Sequence, residues 1–215
     1  MKKLYCISGL GADEKIFVKL KVSNAELVHI PWPEYDDYDE LPCYAQKVSA
    51  LIPDDDPIIL GVSLGGMIGV EICKIRPVKK LILISSAKTK SEMPSYDGLF
   101  GKLIKSKVIP PFLYKTPNPV LYKKFGAETF DDEAMLNMIL KASDGRFMKW
   151  AMRAIALWQN DTYNEPVAHI HGCEDRMILA ENVHAHEWID DGGHMMIYNR
   201  AEEVSKFVQR ELDNI

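Results

Sequence analysis

The sequence predicts an α/β fold: a doubly wound, mostly parallel sheet flanked by helices, with a helical segment inserted into it. Three observations lead there. Short apolar runs ending in glycine, proline or serine alternate with segments whose apolar residues recur at helical spacing. The runs are apolar at nearly every position, as in strands covered on both faces, rather than at every second one. Between Ala87 and about Asn160 the alternation stops, and prolines at 94, 110, 111, 117 and 119 separate helix-like pieces. A chain of 215 residues with 47% hydrophobic content suits a single domain spanning 1–215, with 87–160 as a helical cap insertion.

In chain order, Leu4 to Ser8 is the first strand, stopped by Gly9-Leu10-Gly11, and Asp13 to Leu20 holds a short helix or loop. The glycine pair invites a dinucleotide-binding reading, which fails because Glu14 occupies the third glycine position. Glu26 to Ile30 is a second strand, closed by Pro31-Trp32-Pro33, and Leu41, Tyr44, Ala45, Val48, Leu51 and Ile52 repeat as one face of a helix. Pro57 to Val62 is a third strand. The helix after it carries Ile68, Val70, Ile72, Cys73 and Ile75 and ends at Arg76-Pro77, because proline cannot continue it. Lys80 to Ser85 is the fourth strand. Within the insertion, Asp131 to Leu140 is one helix, and Phe147, Trp150, Ala151, Ala154, Ile155 and Trp158 form the apolar stripe of another, with Lys149 and Arg153 opposite. That stripe is expected both to pack as core and to line a pocket. Pro166 to Gly172 restores the sheet. A helix to about His184, a short strand at Trp188-Ile189, the turn-rich loop Asp190-Asp191-Gly192-Gly193-His194 and a final helix with Ala201, Val204, Phe207, Val208 and Leu212 complete the chain.

Composition narrows the partners. The net charge is -5, and acidic runs at Glu34–Glu40 and Asp54–Asp56 leave no basic stripe for nucleic acid. Those runs lack the spacing and glycine of a calcium loop, so they read as solvated surface. Cys6, Cys43, Cys73 and Cys173 are scattered and show no paired spacing, the pattern of buried thiols in a reducing compartment. Met1-Lys2-Lys3 leads directly into the first strand, too short a run for a secretory signal, and no segment approaches membrane-spanning length. A cytoplasmic protein with no membrane partner is expected. His169, His171 and Cys173 alternate, and His184 and His186 are likewise two apart. Without a Cys-x-x-Cys pair or a Glu-bearing helix they read as structural, with no metal implied.

Chemistry concentrates at Gly61-Val62-Ser63-Leu64-Gly65, a G-x-S-x-G pattern at a strand-to-helix junction. It reads as a nucleophile on a tight elbow. A serine hydroxyl needs a base to take its proton and a carboxylate to fix that base's tautomer. Downstream, Asp175 follows a strand ending in His171-Gly172, and His194 follows Gly192-Gly193 before the last helix. Glu174 stands beside Asp175, and pattern alone does not separate the two.

On these residues, Ser63, Asp175 and His194 in that order along nearly the whole chain, the sequence resembles the α/β-hydrolase fold family. The resemblance implies a sheet of six strands, an acid after the penultimate strand and a base after the last. It selects Asp175, three residues after Gly172. It also implies an oxyanion hole made by the Leu64 amide and by an amide of the loop after the first strand, Leu10 or Gly11. Two departures stand out. Ser8-Gly9 replaces the usual His-Gly, and the family's first two strands are not represented. The implied activity is that of an esterase-like or thioesterase-like serine hydrolase acting on a small-molecule acyl substrate without a cofactor. The rival is a non-catalytic ligand-binding or scaffold protein on the same fold, which intact Ser63, Asp175 and His194 oppose.

Overall fold

In the computed structural model, which describes residues 1–106 and 108–215, the strands are β1 (Lys2–Ile7), β2 (Ala25–His29), β3 (Ile58–Val62), β4 (Lys80–Ile84), β5 (Val167–Gly172) and β6 (Glu187–Ile189). They form one sheet in the order β2-β1-β3-β4-β5-β6, and every pairing is parallel, where the sequence implied a mostly parallel sheet. The helices are α1 (Leu41–Ser49), α2 (Leu64–Ile75), α3 (Leu99–Lys105), α4 (Pro119–Phe125), α5 (Phe130–Ala142), α6 (Gly145–Leu157), α7 (Met196–Asn199) and α8 (Ala201–Asp213).

The continuous apolar runs follow from two buried faces. Side chains alternate along a strand. Leu4 and Cys6 of β1, Ile58 and Leu60 of β3, and Ile82 and Ile84 of β4 therefore join Val204, Phe207, Val208 and Leu212 of α8 in one core. Their neighbours Tyr5, Ile7, Ile59, Leu81 and Leu83 turn to the other face and pack with Leu41, Tyr44 and Val48 of α1 and Ile68 and Ile72 of α2. Sheet order then positions the site. The chain leaves β1 toward β2 at one edge and β3 toward β4 on the other side, so the loops after β1 and β3 diverge and open a crevice at their carboxyl ends.

The insertion is fastened at both roots. Lys90 N–H donates to the Asn160 carbonyl at 2.6 Å and the Asn160 amide donates to the Lys88 carbonyl at 2.7 Å. Trp158 Nε1 donates to the buried Glu71 carboxylate of α2 at 2.8 Å. Within it, α5 begins at a capping box in which Thr129 and Asp132 satisfy each other's backbone N–H groups.

Three expectations are corrected. No helix runs from Arg176 to about His184; turns and a short 3-10 segment at Ala180–Asn182 take its place, because Asp175 Oδ1 captures the Met177 and Ile178 N–H groups in a tight turn. Cys43 and Cys173 are exposed rather than buried. Helix α1 stops at Ser49 and leaves Leu51 exposed. Among the described residues no helix is long and apolar enough to cross a membrane.

Candidate active site

Ser63 is where β3 becomes α2. Its φ of 51° and ψ of -118° are strained for a residue with a Cβ, and four bonds hold it there. Ser63 N–H donates to the Ile84 carbonyl at 3.0 Å, while the Ser63 carbonyl accepts from Ser86 Oγ at 2.7 Å and from the Gly66 and Met67 N–H groups. The glycines of the motif serve packing as much as the elbow. A Cβ on Gly61 would stand 2.5 Å from Gly66 Cα, and one on Gly65 would stand 2.2 Å from the Ile7 carbonyl oxygen. Only bare backbone lets β1, β3 and the first turn of α2 approach this closely.

The structure brings Ser63, His194 and Asp175 into one hydrogen-bonded chain. His194 Nε2 lies 2.9 Å from Ser63 Oγ, and His194 Nδ1 lies 2.8 Å from Asp175 Oδ2. An ionised carboxylate only accepts, so Nδ1 carries the ring proton and Nε2 offers its lone pair to the serine hydroxyl. The other carboxylate oxygen, Asp175 Oδ1, accepts the Met177 and Ile178 N–H groups at 2.8 and 3.0 Å. Burial pushes the Asp175 carboxyl up, but the charge of His194, its hydrogen bond, the charge of His171 and the Ile178 N–H outweigh it and hold the carboxyl below its ordinary value. Glu174 is exposed and turned toward Arg176 at 3.5 Å, so the adjacent carboxylates are separated by geometry. The Phe125 ring packs edge-on against His194 with centroids 5.4 Å apart.

Leu64 is the first residue of α2, and an N–H in the first helical turn has no acceptor within the helix. In the loop after β1, Leu10 lines the cavity beside Ser63. Gly11, at φ 72°, has its carbonyl bonded by Ser143 Oγ of the insertion at 2.8 Å. The insertion thus holds the loop expected to supply the second oxyanion donor.

The cavity in front of Ser63 and His194 has a volume of about 100 Å³, and its walls include Met67, Met93, Met148, Met152, Met177 and Met195. Apart from Ser63, His194 and Tyr96, every described side chain lining it is apolar. The α6 stripe divides differently from the sequence expectation. Met148, Met152 and Ile155, at helical spacing, face the cavity. Phe147 and Trp150 instead pack against Tyr35 and Tyr44, and Trp158 is bonded to Glu71; only Ile155 of the expected stripe reaches the pocket. The aromatic rings seat the helix, and its flexible methionines face the ligand space.

Sequence reasoning missed several parts. Ser86, which fixes the elbow, and Ser143, which fixes the loop after β1, carry no local signal because their partners are 23 and 132 residues away. His171 had one, its place four residues before the acid. Among the described residues no group of three His, Cys, Asp or Glu side chains is placed to hold a metal ion. His184 N–H instead donates to Glu92, His186 N–H donates to the His169 carbonyl while its Nδ1 accepts the His169 N–H, and His29 is half-buried against Phe17.

His169 and His171 are fully buried side by side on β5, with ring centroids 5.4 Å apart. Burial, then the charges of His171, Lys88 and His186, push His169 well down; burial pushes His171 down, with Asp175 pulling the other way. For a histidine depressed in the fold, the unfolded chain binds the proton first, so its contribution is complete above the unfolded value and is lost as pH falls. Unfolding free energy is therefore expected to drop once pH passes below about 6.5, by up to about 1.4 kcal/mol per pH unit for each of the two rings. Asp175, also depressed, adds a separate loss below about pH 4. Urea titrations from pH 7.5 to 5 check this, and His169→Leu should reduce the slope.

No protein-family model and no curated protein matches the sequence. Solved structures do match it over nearly its full length. A putative lipase from Acinetobacter baumannii AYE superposes with a TM-score of 0.72 at 18% identity, covering 99% of this chain and 84% of the lipase. An esterase from Exiguobacterium antarcticum gives 0.72 at 15% identity, covering 99% and 92%. The N-acyl homoserine lactonase AidH, complexed with N-butanoyl homoserine, gives 0.67 at 18% identity, covering 99% and 89%. The chain has the α/β-hydrolase fold.

Proposed function

We propose that this protein is a serine hydrolase that cleaves a short-chain ester, or a closely related acyl bond, through an acyl-enzyme. The observation that carries the reading is the Ser63, His194 and Asp175 hydrogen-bonded chain opening onto an apolar cavity. Ser63 Oγ attacks the substrate carbonyl while His194 Nε2 takes its proton, and the Asp175 charge stabilises the imidazolium that forms. The tetrahedral oxyanion is held by the Leu64 N–H, reinforced by the α2 N-terminus, and by the Leu10 N–H. Collapse expels the alcohol, which receives the proton from His194. Water then enters, gives a proton to His194 and attacks the acyl carbon; collapse breaks the bond to Ser63 Oγ, which takes the proton back from His194 as the carboxylic acid leaves.

The walls set the substrate class. A cavity of about 100 Å³ with no charged lining side chain takes a short aliphatic acyl group. A dry cavity of about 150 Å³ holds a benzene ring, so this one holds roughly four carbons. Lipase, esterase and lactonase neighbours agree with an acyl substrate, and the bond within that class is left to experiment. A panel of p-nitrophenyl esters from acetate to octanoate tests the reading. Each buried methylene contributes about 0.8 kcal/mol, so kcat/KM should rise about fourfold per carbon up to butyrate and then fall. Met152→Trp, which fills the cavity, should move the optimum to acetate and lower butyrate turnover at least tenfold. A ranking unchanged by Met152→Trp removes the acyl-pocket assignment, and a panel with no turnover above a Ser63→Ala control removes the hydrolase.

A further inference from the structure

Catalysis through Asp175 requires that its carboxylate hold one orientation while the charge on His194 appears and disappears. Part of that restraint comes from the Met177 and Ile178 N–H groups on Oδ1. Those amides belong to a turn without helical or strand bonding, so something must hold the turn. His171 does so. Its Nε2 lies 2.9 Å from the Ile178 carbonyl oxygen and 3.5 Å from Asp175 Oδ2, the oxygen that accepts the His194 proton. Both neighbours only accept, so Nε2 carries the ring proton and donates to Ile178, with its positive end facing the carboxylate. Ile178 is thus gripped on its carbonyl by His171 while its N–H grips Asp175. The ring itself cannot swing away: it is fully buried, with the His169 and Trp188 rings set edge-on at centroid distances of 5.4 and 5.7 Å.

We infer that His171 is a positioning residue for the proposed reaction, its neutral ring fixing the Ile178 turn and thereby the Asp175 carboxylate that orients His194. The inference rests on the roles proposed for Ser63, His194 and Asp175. Neutrality is part of it. A protonated His171 would set a second cation beside the same oxygen and compete with the imidazolium that Asp175 stabilises. The buried ring nitrogens of His169 and the Nδ1 of His171 have no hydrogen-bond partner among the described residues, and such a site disfavours a charge.

The test compares His171→Gln, whose side-chain amide can reach as far as Nε2 and still donate to Ile178, with His171→Leu, which fills the space without a donor. His171→Asn, whose amide stops short, replaces the leucine variant if that chain does not fold. Turnover of p-nitrophenyl butyrate and the rate of labelling by a fluorophosphonate are measured on protein shown to be folded. In His171→Leu, kcat and the labelling rate should each fall about tenfold to a hundredfold with KM unchanged, because the turn that orients the Asp175 carboxylate loses its anchor. His171→Gln should recover both to within about threefold. In proton NMR, the low-field resonance of the His194 Nδ1 proton, identified by its loss in Asp175→Asn, should persist in His171→Gln and shift or broaden away in His171→Leu. Full activity in His171→Leu, or equal loss in both variants, overturns the inference and leaves His171 as packing. Failure of the underlying reading looks different: Ser63→Ala would then label and turn over like the unaltered protein.

Discussion

Replacing Ser63 by alanine is expected to lower ester turnover about a millionfold, the scale on which serine nucleophiles are lost elsewhere, while the fold stays intact. The proposed oxyanion donors and the cavity remain, so a residue of catalysis by binding should survive. Structure gives a reason to expect a folded variant. Among the described residues the hydroxyl's one hydrogen bond is to His194, whereas the bonds that hold the elbow run through the Ser63 backbone. Alanine keeps the Cβ, so strain at φ 51° is unchanged. Turnover of p-nitrophenyl butyrate together with the urea midpoint checks both halves. A variant that retains a few per cent of activity would mean that another group attacks.

Asp175→Asn should cost about a thousandfold or more, and here the geometry dictates the direction. The Met177 and Ile178 N–H groups point at Oδ1 and need an acceptor, so the amide oxygen of the variant must stay on that side. Its NH2 then faces His194 and donates to Nδ1. The ring proton is forced onto Nε2, which turns an N–H toward Ser63 and leaves no base. Neither size nor the turn changes, so the loss should lie in kcat and in fluorophosphonate labelling rather than in stability. Glu174→Gln is the matched control. Glu174 is exposed beside Arg176, and an exposed ion pair contributes little, so activity should stay within tenfold. Equal damage in the two variants, or greater damage at Glu174, would refute the assignment of the acid.

Local chemistry made much of this molecule legible in advance. The apolar runs of β1, β3, β4 and β5 were legible because both faces of the sheet are covered there, whereas the edge strands β2 and β6 are only partly buried. The order Ser63, Asp175, His194 was readable because each residue follows a strand at a glycine-rich or turn-rich site. Other features depended on distant partners. Asp175 and Glu174 differ only in how the turn after β5 bends, and the Met177 and Ile178 amides decide that. The stripe on α6 is expected to serve both core and pocket, but which residue does which depends on distant rings: Tyr35 and Tyr44 claim Phe147 and Trp150 and leave Met148 and Met152 to the cavity. The helix expected after Asp175 failed for a related reason. Ile178 and Val183 are both buried, but a side-chain carboxylate competes for the amides that would have begun a helix. Cys43 lies in a helix whose inward positions are taken by Leu41, Tyr44 and Val48, which leaves its thiol outside despite apolar neighbours in sequence.

Covalent labelling tests whether Ser63 is an activated nucleophile without knowledge of the natural substrate. The folded protein is treated with a fluorophosphonate, its intact mass is measured, and the modified peptide is mapped. One adduct per chain is expected, carried by Ser63 alone among the serines, and none in Ser63→Ala. An adduct on any other residue, or one that persists in Ser63→Ala, would contradict it.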